Sequence, residues 1–207
     1  MTKIKICGIT NLDDALAALE LGVDALGFVF TESPRKVTPD KVEQIASQMD
    51  IPVLKVGVFV NKDVNQVQNI FDRCNLDYVQ LSGNEDKIYL EKLSLPIIKV
   101  FKVKDQTVLK EIPQYDLNLF MLETFNENQY GGTGKTFNWE IAKEAKKFGR
   151  VILSGGLTPE NVFSALQQVE PYGVDVSSGV EESPGKKNKK KLEQFIKEVR
   201  RWDYQTI

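Results

Sequence analysis

The chain has 207 residues, of which 42% are hydrophobic and 27% are charged, a composition typical of a soluble globular protein. Its 27 basic and 29 acidic side chains give a formal net charge of −2, which argues against nucleic-acid binding because such binding needs a concentrated positive surface. The chain has no histidine, which excludes Ser-His and Cys-His nucleophiles and histidine-ligated metal sites.

Eight short apolar runs rich in β-branched residues predict strands, at residues 4–7, 25–30, 53–59, 78–81, 97–101, 119–122, 151–154 and 174–176. Amphipathic patterns between these runs predict helices, four of them with a complete i, i+3, i+4, i+7 repeat at 12–19, 42–49, 162–169 and 192–199. Apolar strands alternating with helices are typical of a parallel sheet buried on both faces. We therefore expect a single-domain (β/α)8 TIM barrel over residues 1–207, with a doubly wound open sheet as the alternative.

Residues that typically begin or end helices lie next to the predicted helices. Thr38-Pro39 and Thr158-Pro159 each predict an N-cap followed by proline in the first turn, and Gly22 and Gly149 predict left-handed C-caps. The glycine-bearing stretch 124–137, between the sixth strand and the sixth helix, is where we expect a lid.

The low cysteine content and the absence of membrane signals favour a cytoplasmic protein. Cys7 and Cys74 are too few for a disulfide framework, and no apolar run reaches the ~18 residues of a membrane-spanning helix. The N-terminus has the pattern of a short strand and not of a signal peptide. Cys74 continues a helical apolar face, so we expect it to pack in the core.

Four side chains at or near predicted strand ends are candidates for chemistry. Cys7 is either a base in an electropositive setting or a small core residue, and Glu123 is paired, solvated or functional. Arg35, in Ser33-Pro34-Arg35, suits a carboxylate or a phosphate, but from the residues alone a solvated surface arginine is the favoured interpretation. Asp175 lies inside an apolar strand and needs a polar ligand group or an ion-pair partner.

Two glycine-bearing loops predict a phosphate site. Gly155 and Gly156 follow the seventh predicted strand, and Ser177, Ser178 and Gly179 follow the eighth. The loops after strands 7 and 8 of such barrels commonly bind phosphate through backbone N–H groups. Each loop could by itself be an ordinary turn. The lysine-rich stretch 186–191 predicts a solvated approach to the last helix.

Six motifs spread over residues 3–199 form a distinctive series: Lys5-Ile6-Cys7-Gly8-Ile9-Thr10, Ala25-Leu26-Gly27-Phe28-Val29-Phe30, Ser33-Pro34-Arg35, Gly131-Gly132-Thr133-Gly134-Lys135-Thr136-Phe137, Gly155-Gly156-Leu157-Thr158-Pro159-Glu160-Asn161-Val162 and Gly173-Val174-Asp175-Val176-Ser177-Ser178-Gly179-Val180-Glu181. In this combination the sequence resembles the phosphoribosylanthranilate isomerase family of tryptophan biosynthesis.

The resemblance implies a cofactor-free, metal-free Amadori rearrangement by general acid/base catalysis. N-(5-phosphoribosyl)anthranilate, an aminoaldose, would become 1-(2-carboxyphenylamino)-1-deoxyribulose 5-phosphate, an aminoketose. Cys7 matches the general base of the family, and Glu123 stands where the family has an aspartic acid as general acid. Ser82-Gly83 stands where the family usually has His-Gly.

The same resemblance assigns the substrate contacts. Arg35 would bind the anthranilate carboxylate, Asp175 would be a polar contact, and the phosphate would lie against Gly155-Gly156 and Ser177-Ser178-Gly179. The expected partner is a small phosphorylated substrate, with no nucleic acid and no membrane, for a monomer or a homodimer. Two further interpretations stay open: another barrel enzyme acting on a phosphorylated sugar, and a non-catalytic phosphosugar-binding protein.

Overall fold

Eight parallel strands close into a barrel in chain order in the computed structural model, which describes residues 1–125 and 136–206. The strands are β1 (Lys3–Cys7), β2 (Ala25–Val29), β3 (Leu54–Phe59), β4 (Tyr78–Leu81), β5 (Ile97–Val103), β6 (Leu119–Thr124), β7 (Arg150–Leu153) and β8 (Gly173–Val176). Closure comes from the pairing of β8 with β1, in a register that places Lys5 opposite Asp175. The (β/α)8 TIM barrel is therefore confirmed, and the open sheet is excluded.

Helices connect the strands and surround the barrel. They are α1 (Leu12–Glu20), α2 (Pro39–Ala46), α3 (Val64–Arg73), α4 (Lys87–Lys92), α5 (Val108–Glu111), α6 (Trp139–Ala145), α7 (Val162–Val169) and α8 (Lys189–Gln205). Between β8 and α8, the strands β9 (Glu181–Ser183) and β10 (Lys186–Lys187) form a short antiparallel ribbon. Across the described residues, no helix combines the length and the apolar character that crossing a membrane requires.

Two of the predicted helix ends are confirmed. The side chain of Thr38 accepts a hydrogen bond from the backbone N–H of Lys41 and so caps α2, whose first residue is Pro39. Gly22 follows α1 with φ +73°, a left-handed conformation that glycine adopts without steric cost.

The other two predicted helix ends are wrong in detail. Thr158 accepts from the backbone N–H of Glu160 in a turn, and α7 begins only after Asn161, whose side chain accepts from the backbone N–H of Thr158. The Thr158 carbonyl still accepts from the backbone N–H of Val162 at 3.1 Å, so residues 159–161 form a turn that leads into α7. Gly149 ends a 3-10 turn with φ +156° and ψ −170°, which is not the left-handed C-cap conformation.

Successive side chains along a strand point to opposite faces, so one set lies inside the barrel and the other lies between the barrel and the surrounding helices. Outward residues, such as Ile6 and Phe120, pack with the helices into the main core. Inward residues near the strand starts form a smaller apolar layer of Ala25, Val56, Ile98, Val100, Met121 and Ile152. Toward the strand ends the inward positions include the charged residues Lys102, Glu123 and Asp175 beside the small apolar cluster of Cys7, Val29 and Val58, so charge is concentrated at the mouth of the barrel and not at its base.

Two predictions about individual segments have different outcomes. Cys74 is 3% exposed and belongs to the main core, as expected from its helical face. The predicted lid at 124–137, with its Gly131-Gly132-Thr133-Gly134-Lys135 motif, lies outside the described residues apart from its two ends.

Candidate active site

A cavity of about 90 Å³ at the carboxyl ends of the strands collects the predicted site residues. Its walls include Cys7, Arg35, Ser82, Glu123, Asp175, and residues 154–157 and 177–179. A larger cavity of about 730 Å³ lies at the opposite end of the barrel, against the apolar base and the segment 49–56. Barrel enzymes place their chemistry at the carboxyl end of the strands, and the candidate acid and base lie there, so the smaller cavity is the candidate site.

Cys7 is the last residue of β1 and points into the barrel. It is 7% exposed, and burial raises the pKa of its thiol, although the ammonium of Lys5 opposes that rise. Gly27, on the neighbouring strand, makes room for both side chains. A Cβ atom added there would lie 2.8 Å from Cys7 Sγ and 2.9 Å from Lys5 Nζ. The strand pairing and this glycine therefore hold the thiol and the ammonium at one point of the barrel interior.

Asp175 has its partner in Lys5. The Lys5 Nζ donates to Asp175 Oδ1 at 2.6 Å, and the Ser154 hydroxyl donates to Oδ2 at 3.1 Å. Burial alone would lower the pKa of Lys5, but the adjacent carboxylate raises it above its ordinary value. The sequence indicated that Asp175 needs a ligand group or an ion-pair partner, but Lys5 was not identified as that partner. Both are charged residues inside apolar strands, and this shared feature could have predicted the pair.

Arg35 is held by Glu181 and is not a free surface arginine. Its Nε and Nη2 donate to the two Glu181 oxygens at 2.8 and 2.6 Å. Lys187 Nζ donates to Glu181 Oε1 at 2.8 Å and to the backbone oxygen of Cys7 at 2.5 Å. Burial would raise the pKa of Glu181, but the two cations lower it below its ordinary value.

The predicted solvated lysine stretch at 186–191 is wrong at one position. Lys187 is 3% exposed, and burial lowers the pKa of its ammonium although Glu181 opposes this effect. The reason is the β9–β10 ribbon, which folds Lys187 inward opposite Glu181. A run of lysines does not predict a ribbon of this kind, because charge alone does not show which side chains become buried.

Glu123 forms an ion pair with Lys102 at the cavity wall. The two residues are direct partners on β5 and β6, and their side chains are 24% and 15% exposed for Lys102 and Glu123, respectively. Glu123 lies within β6, which continues to Thr124, and not just past the strand as its apolar run indicated. Lys102 was missed because the apolar run of β5 ends at Phe101 while the strand continues to Val103.

The loops after β7 and β8 pack tightly against each other. Gly155 and Gly156 have φ values of +85° and +72°. A Cβ atom on Gly179 would overlap the backbone oxygen of Leu157, so the second loop fits against the first only without a side chain there. The buried Ser177 hydroxyl has no hydrogen-bond partner within residues 1–125 and 136–206. The predicted phosphate loops therefore share one wall of the cavity.

Ser82 also lines the cavity, from the end of β4. Gln80 Nε2 donates to the Ser82 hydroxyl at 3.3 Å, and both side chains are buried. A thiol, a carboxyl paired with an ammonium, an arginine and glycine-bearing loops thus surround one small polar space. Such an arrangement can bind an anion at one side while an acid and a base act on the same molecule.

Comparison with known proteins agrees with this geometry. The family model described as "N-(5'phosphoribosyl)anthranilate (PRA) isomerase" matches residues 4–198. The N-(5'-phosphoribosyl)anthranilate isomerase of Geotalea uraniireducens is 47% identical over 201 residues, covering 97% of this chain and 99% of that protein. The crystal structure of the phosphoribosylanthranilate isomerase of Thermotoga maritima is 39% identical with a TM-score of 0.91, covering 97% and 99% of the two chains.

A further solved phosphoribosylanthranilate isomerase is a complex with reduced 1-(o-carboxyphenylamino)-1-deoxyribulose 5-phosphate. It is 36% identical with a TM-score of 0.87, and the match covers 97% of this chain and 99% of that one. The family model, the relatives and the barrel topology all lead to one assignment. The chain belongs to the phosphoribosylanthranilate isomerase family and is an isomerase of tryptophan biosynthesis.

Proposed function

We propose that the cavity at the carboxyl end of the barrel carries out the isomerisation as an Amadori rearrangement, with Cys7 as general base and Glu123 as general acid. The observation that carries the proposal is that a thiol from β1 and a carboxyl from β6 line one cavity with the two glycine-bearing loops. The related structure with the reduced aminoketose phosphate supports a substrate of that class.

In the proposed reaction, the acid protonates the ring oxygen of the aminoaldose, and the bond between that oxygen and C1 breaks. The resulting protonated imine makes the C2 proton acidic, and Cys7 removes that proton to give an enolamine. The enolamine loses its O2 proton and gains one at C1, which gives the aminoketose without net oxidation. General acid and base groups contribute about 10²–10⁴-fold each.

The proton given to the ring oxygen comes from Glu123. An adjacent ammonium favours the ionised carboxylate, so Glu123 takes up this proton from solvent when the substrate displaces the Lys102 ammonium. Glutamate therefore serves in the place where the family has aspartate, with Lys102 fixing its longer side chain at the cavity wall.

The substrate contacts are assigned from the unused hydrogen-bonding groups. Glu181 engages Nε and Nη2 of Arg35, which leaves Nη1 for the anthranilate carboxylate. Asp175, held by Lys5 and Ser154, keeps lone pairs that accept from a sugar hydroxyl. The phosphate binds the backbone N–H groups of the loops containing Gly155, Gly156, Ser177, Ser178 and Gly179.

The proposed location is the cytoplasm. Cys7 and Cys74 are both free thiols, as expected in a reducing compartment. The Thermotoga maritima relative is described as dimeric, so a homodimer is the proposed alternative to a monomer for this chain.

The test is fluorescence-monitored turnover of freshly made N-(5'-phosphoribosyl)anthranilate by the wild type, Cys7→Ala and Glu123→Gln. The wild type should consume the substrate, and each variant should lose at least about 100-fold in kcat while calorimetry still detects binding of the reduced product analogue. Binding without wild-type turnover would favour a non-catalytic protein. A fully active Cys7→Ala or Glu123→Gln variant would remove that residue from the mechanism.

A further inference from the structure

The buried groups around Cys7 carry more positive than negative charge. Three cations, Lys5, Arg35 and Lys187, lie there with two carboxylates, Asp175 and Glu181. All five side chains are at most 16% exposed. Buried charges are costly unless they are paired, and three cations against two carboxylates leave one positive charge in this cluster without a carboxylate counterion among residues 1–125 and 136–206. The Cys7 thiol becomes an anion when it loses its proton, and it lies inside the cluster.

The contacts show which cation faces the sulfur. Arg35 is engaged with Glu181 through two hydrogen bonds. Lys187 directs its three N–H groups to Glu181 and to the backbone oxygens of Cys7 and Ser177. Lys5 Nζ makes one hydrogen bond within the described part of the chain, to Asp175, and lies with Cys7 Sγ against Gly27. Lys5 and Cys7 are also two residues apart on β1, so their side chains share the inward face.

We propose that Lys5 is a positioning residue that stabilises the thiolate form of Cys7, and that Asp175 determines how much of the Lys5 charge acts on the sulfur. This inference deepens the proposed function, because Cys7 is the base in that reaction. Burial works against the thiolate, and Lys5 supplies the opposing charge within the barrel. Removing the ammonium should therefore make the thiol harder to ionise. Removing the Asp175 charge should make the thiol easier to ionise, because Lys5 then has the sulfur as its nearest anion.

The test titrates the thiol directly, without substrate. The pH dependence of Cys7 alkylation by iodoacetamide is measured on the full folded chain, with peptide mass spectrometry separating Cys7 from Cys74. In Lys5→Met the midpoint should rise by at least about one pH unit, equivalent to tenfold slower alkylation below the midpoint. In Asp175→Asn the midpoint should fall, and in Lys5→Arg it should stay near that of the wild type.

Lys3→Met is the matched control, because Lys3 is on the same strand but pairs with Asp24 near the surface. Its alkylation midpoint should equal that of the wild type. Circular dichroism and thermal unfolding confirm that each variant is folded. Local opening of the barrel would speed alkylation in both Lys5→Met and Asp175→Asn, so shifts of opposite sign separate an electrostatic role from structural damage.

The proposal is overturned if Lys5→Met leaves the midpoint unchanged or lowers it. If Lys5→Met does not fold, the test rests on Asp175→Asn. An alkylation midpoint of Asp175→Asn that is not below that of the wild type then overturns the proposal. The effect on catalysis is measured as the pH dependence of steady-state turnover. In Lys5→Met and Lys5→Arg the acid limb of kcat/KM should move with the alkylation midpoint, with little change in KM. Asp175→Asn is read by alkylation alone, because Asp175 is also a proposed substrate contact. The other charged groups that line the cavity, Lys102, Glu123 and Glu32, are retained in every variant.

Failure of this inference differs from failure of the proposed function. If the wild type does not turn over the aminoaldose phosphate while the thiol midpoints shift as stated, the proposed reaction is wrong and the role of Lys5 stands. If the wild type is active and the midpoints do not shift, the role of Lys5 is wrong and the reaction stands.

Discussion

Individual inward-facing residues determine the chemistry of the barrel mouth, and the pair of Lys102 and Glu123 illustrates how. They are direct partners on β5 and β6, and both line the cavity that contains Cys7. Lys104, two residues further along the same chain, lies over the ring of Phe125 at 5.5 Å and is exposed. Lys102 thus pairs with the candidate acid, whereas Lys104, which has the same side chain, contacts Phe125.

Replacing Lys102 by methionine should lower kcat by about 100-fold, because Glu123 loses the partner that fixes its position at the cavity wall. KM should change less than kcat, since Lys102 is not among the groups assigned to bind the substrate. The measurement is steady-state turnover of the aminoaldose phosphate by fluorescence.

Lys104→Met removes the same charge from the neighbouring surface and should leave both constants within about twofold of the wild type, as is usual for exposed substitutions. Equal effects of the two substitutions would mean that the net charge of this region matters and the pairing with Glu123 does not.

At the scale of elements, the two loops after β7 and β8 act as one unit. Gly179 in the second loop touches the backbone of Leu157 in the first so closely that no side chain fits between them. The sequence predicted both loops from their glycines and from their places after the seventh and eighth strands. It did not predict their mutual contact, because that depends on how two segments more than 20 residues apart approach in space.

Gly179→Ala should separate the two loops and weaken binding of inorganic phosphate at least about tenfold, measured by calorimetry. It should also lower the free energy of unfolding by about 1–3 kcal/mol in urea, as expected when a methyl group is forced into a packed contact.

The matched control is Gly22→Ala, at a left-handed glycine after α1 with no atom within 4 Å of an added Cβ. That substitution should cost about 1 kcal/mol through backbone strain alone and leave phosphate binding unchanged. Weaker phosphate binding in Gly22→Ala would show that lost stability, and not loop geometry, causes the effect.

Over the whole molecule, the two ends of the chain are joined at the base of the barrel. Asp203 of α8 accepts from the Thr2 backbone N–H at 2.8 Å and from the Thr2 hydroxyl at 2.7 Å, and Arg200 donates to its other oxygen at 3.0 Å. Asp203 is 4% exposed. These bonds fasten the last helix next to the first strand, so they contribute to keeping the barrel closed.

Burial would raise the pKa of Asp203, but the hydrogen bonds from Thr2 and Arg200 lower it below its ordinary value. The unfolded chain therefore takes up this proton at higher pH than the folded one. The stabilisation is present above the ordinary carboxyl value of about 3.9 and is lost as pH falls through the lowered value.

Asp203→Asn should lower the free energy of unfolding by about 1.5–3 kcal/mol at pH 7, measured in urea, since hydrogen bonds to a charged group are lost. The difference from the wild type should narrow as the pH falls below about 4. The exposed loop residue Asp50 provides the control, because Asp50→Asn should change the free energy of unfolding by less than about 0.5 kcal/mol. A difference that is constant with pH would contradict the ionised state of Asp203.

The sequence by itself determined the fold and named most of the residues that line the candidate site. The alternation of apolar runs with amphipathic helices places each of the eight barrel strands to within about two residues, since both periodicities are local properties of the chain. The motifs around Cys7, Arg35, Glu123 and Asp175 predicted a site at the mouth of the barrel, because the carboxyl ends of parallel strands meet at one end, and all four residues line one cavity there.

Only the tertiary structure decided which charges are paired. Barrel closure brings Lys5 to Asp175, the β9–β10 ribbon turns Lys187 inward to Glu181, and the added length of β5 sets Lys102 against Glu123. Except for Glu181 and Lys187, these partners lie far apart in the chain. Pairing depends on distance in space and on burial, and neither is encoded in the local periodicity from which strands and helices are predicted.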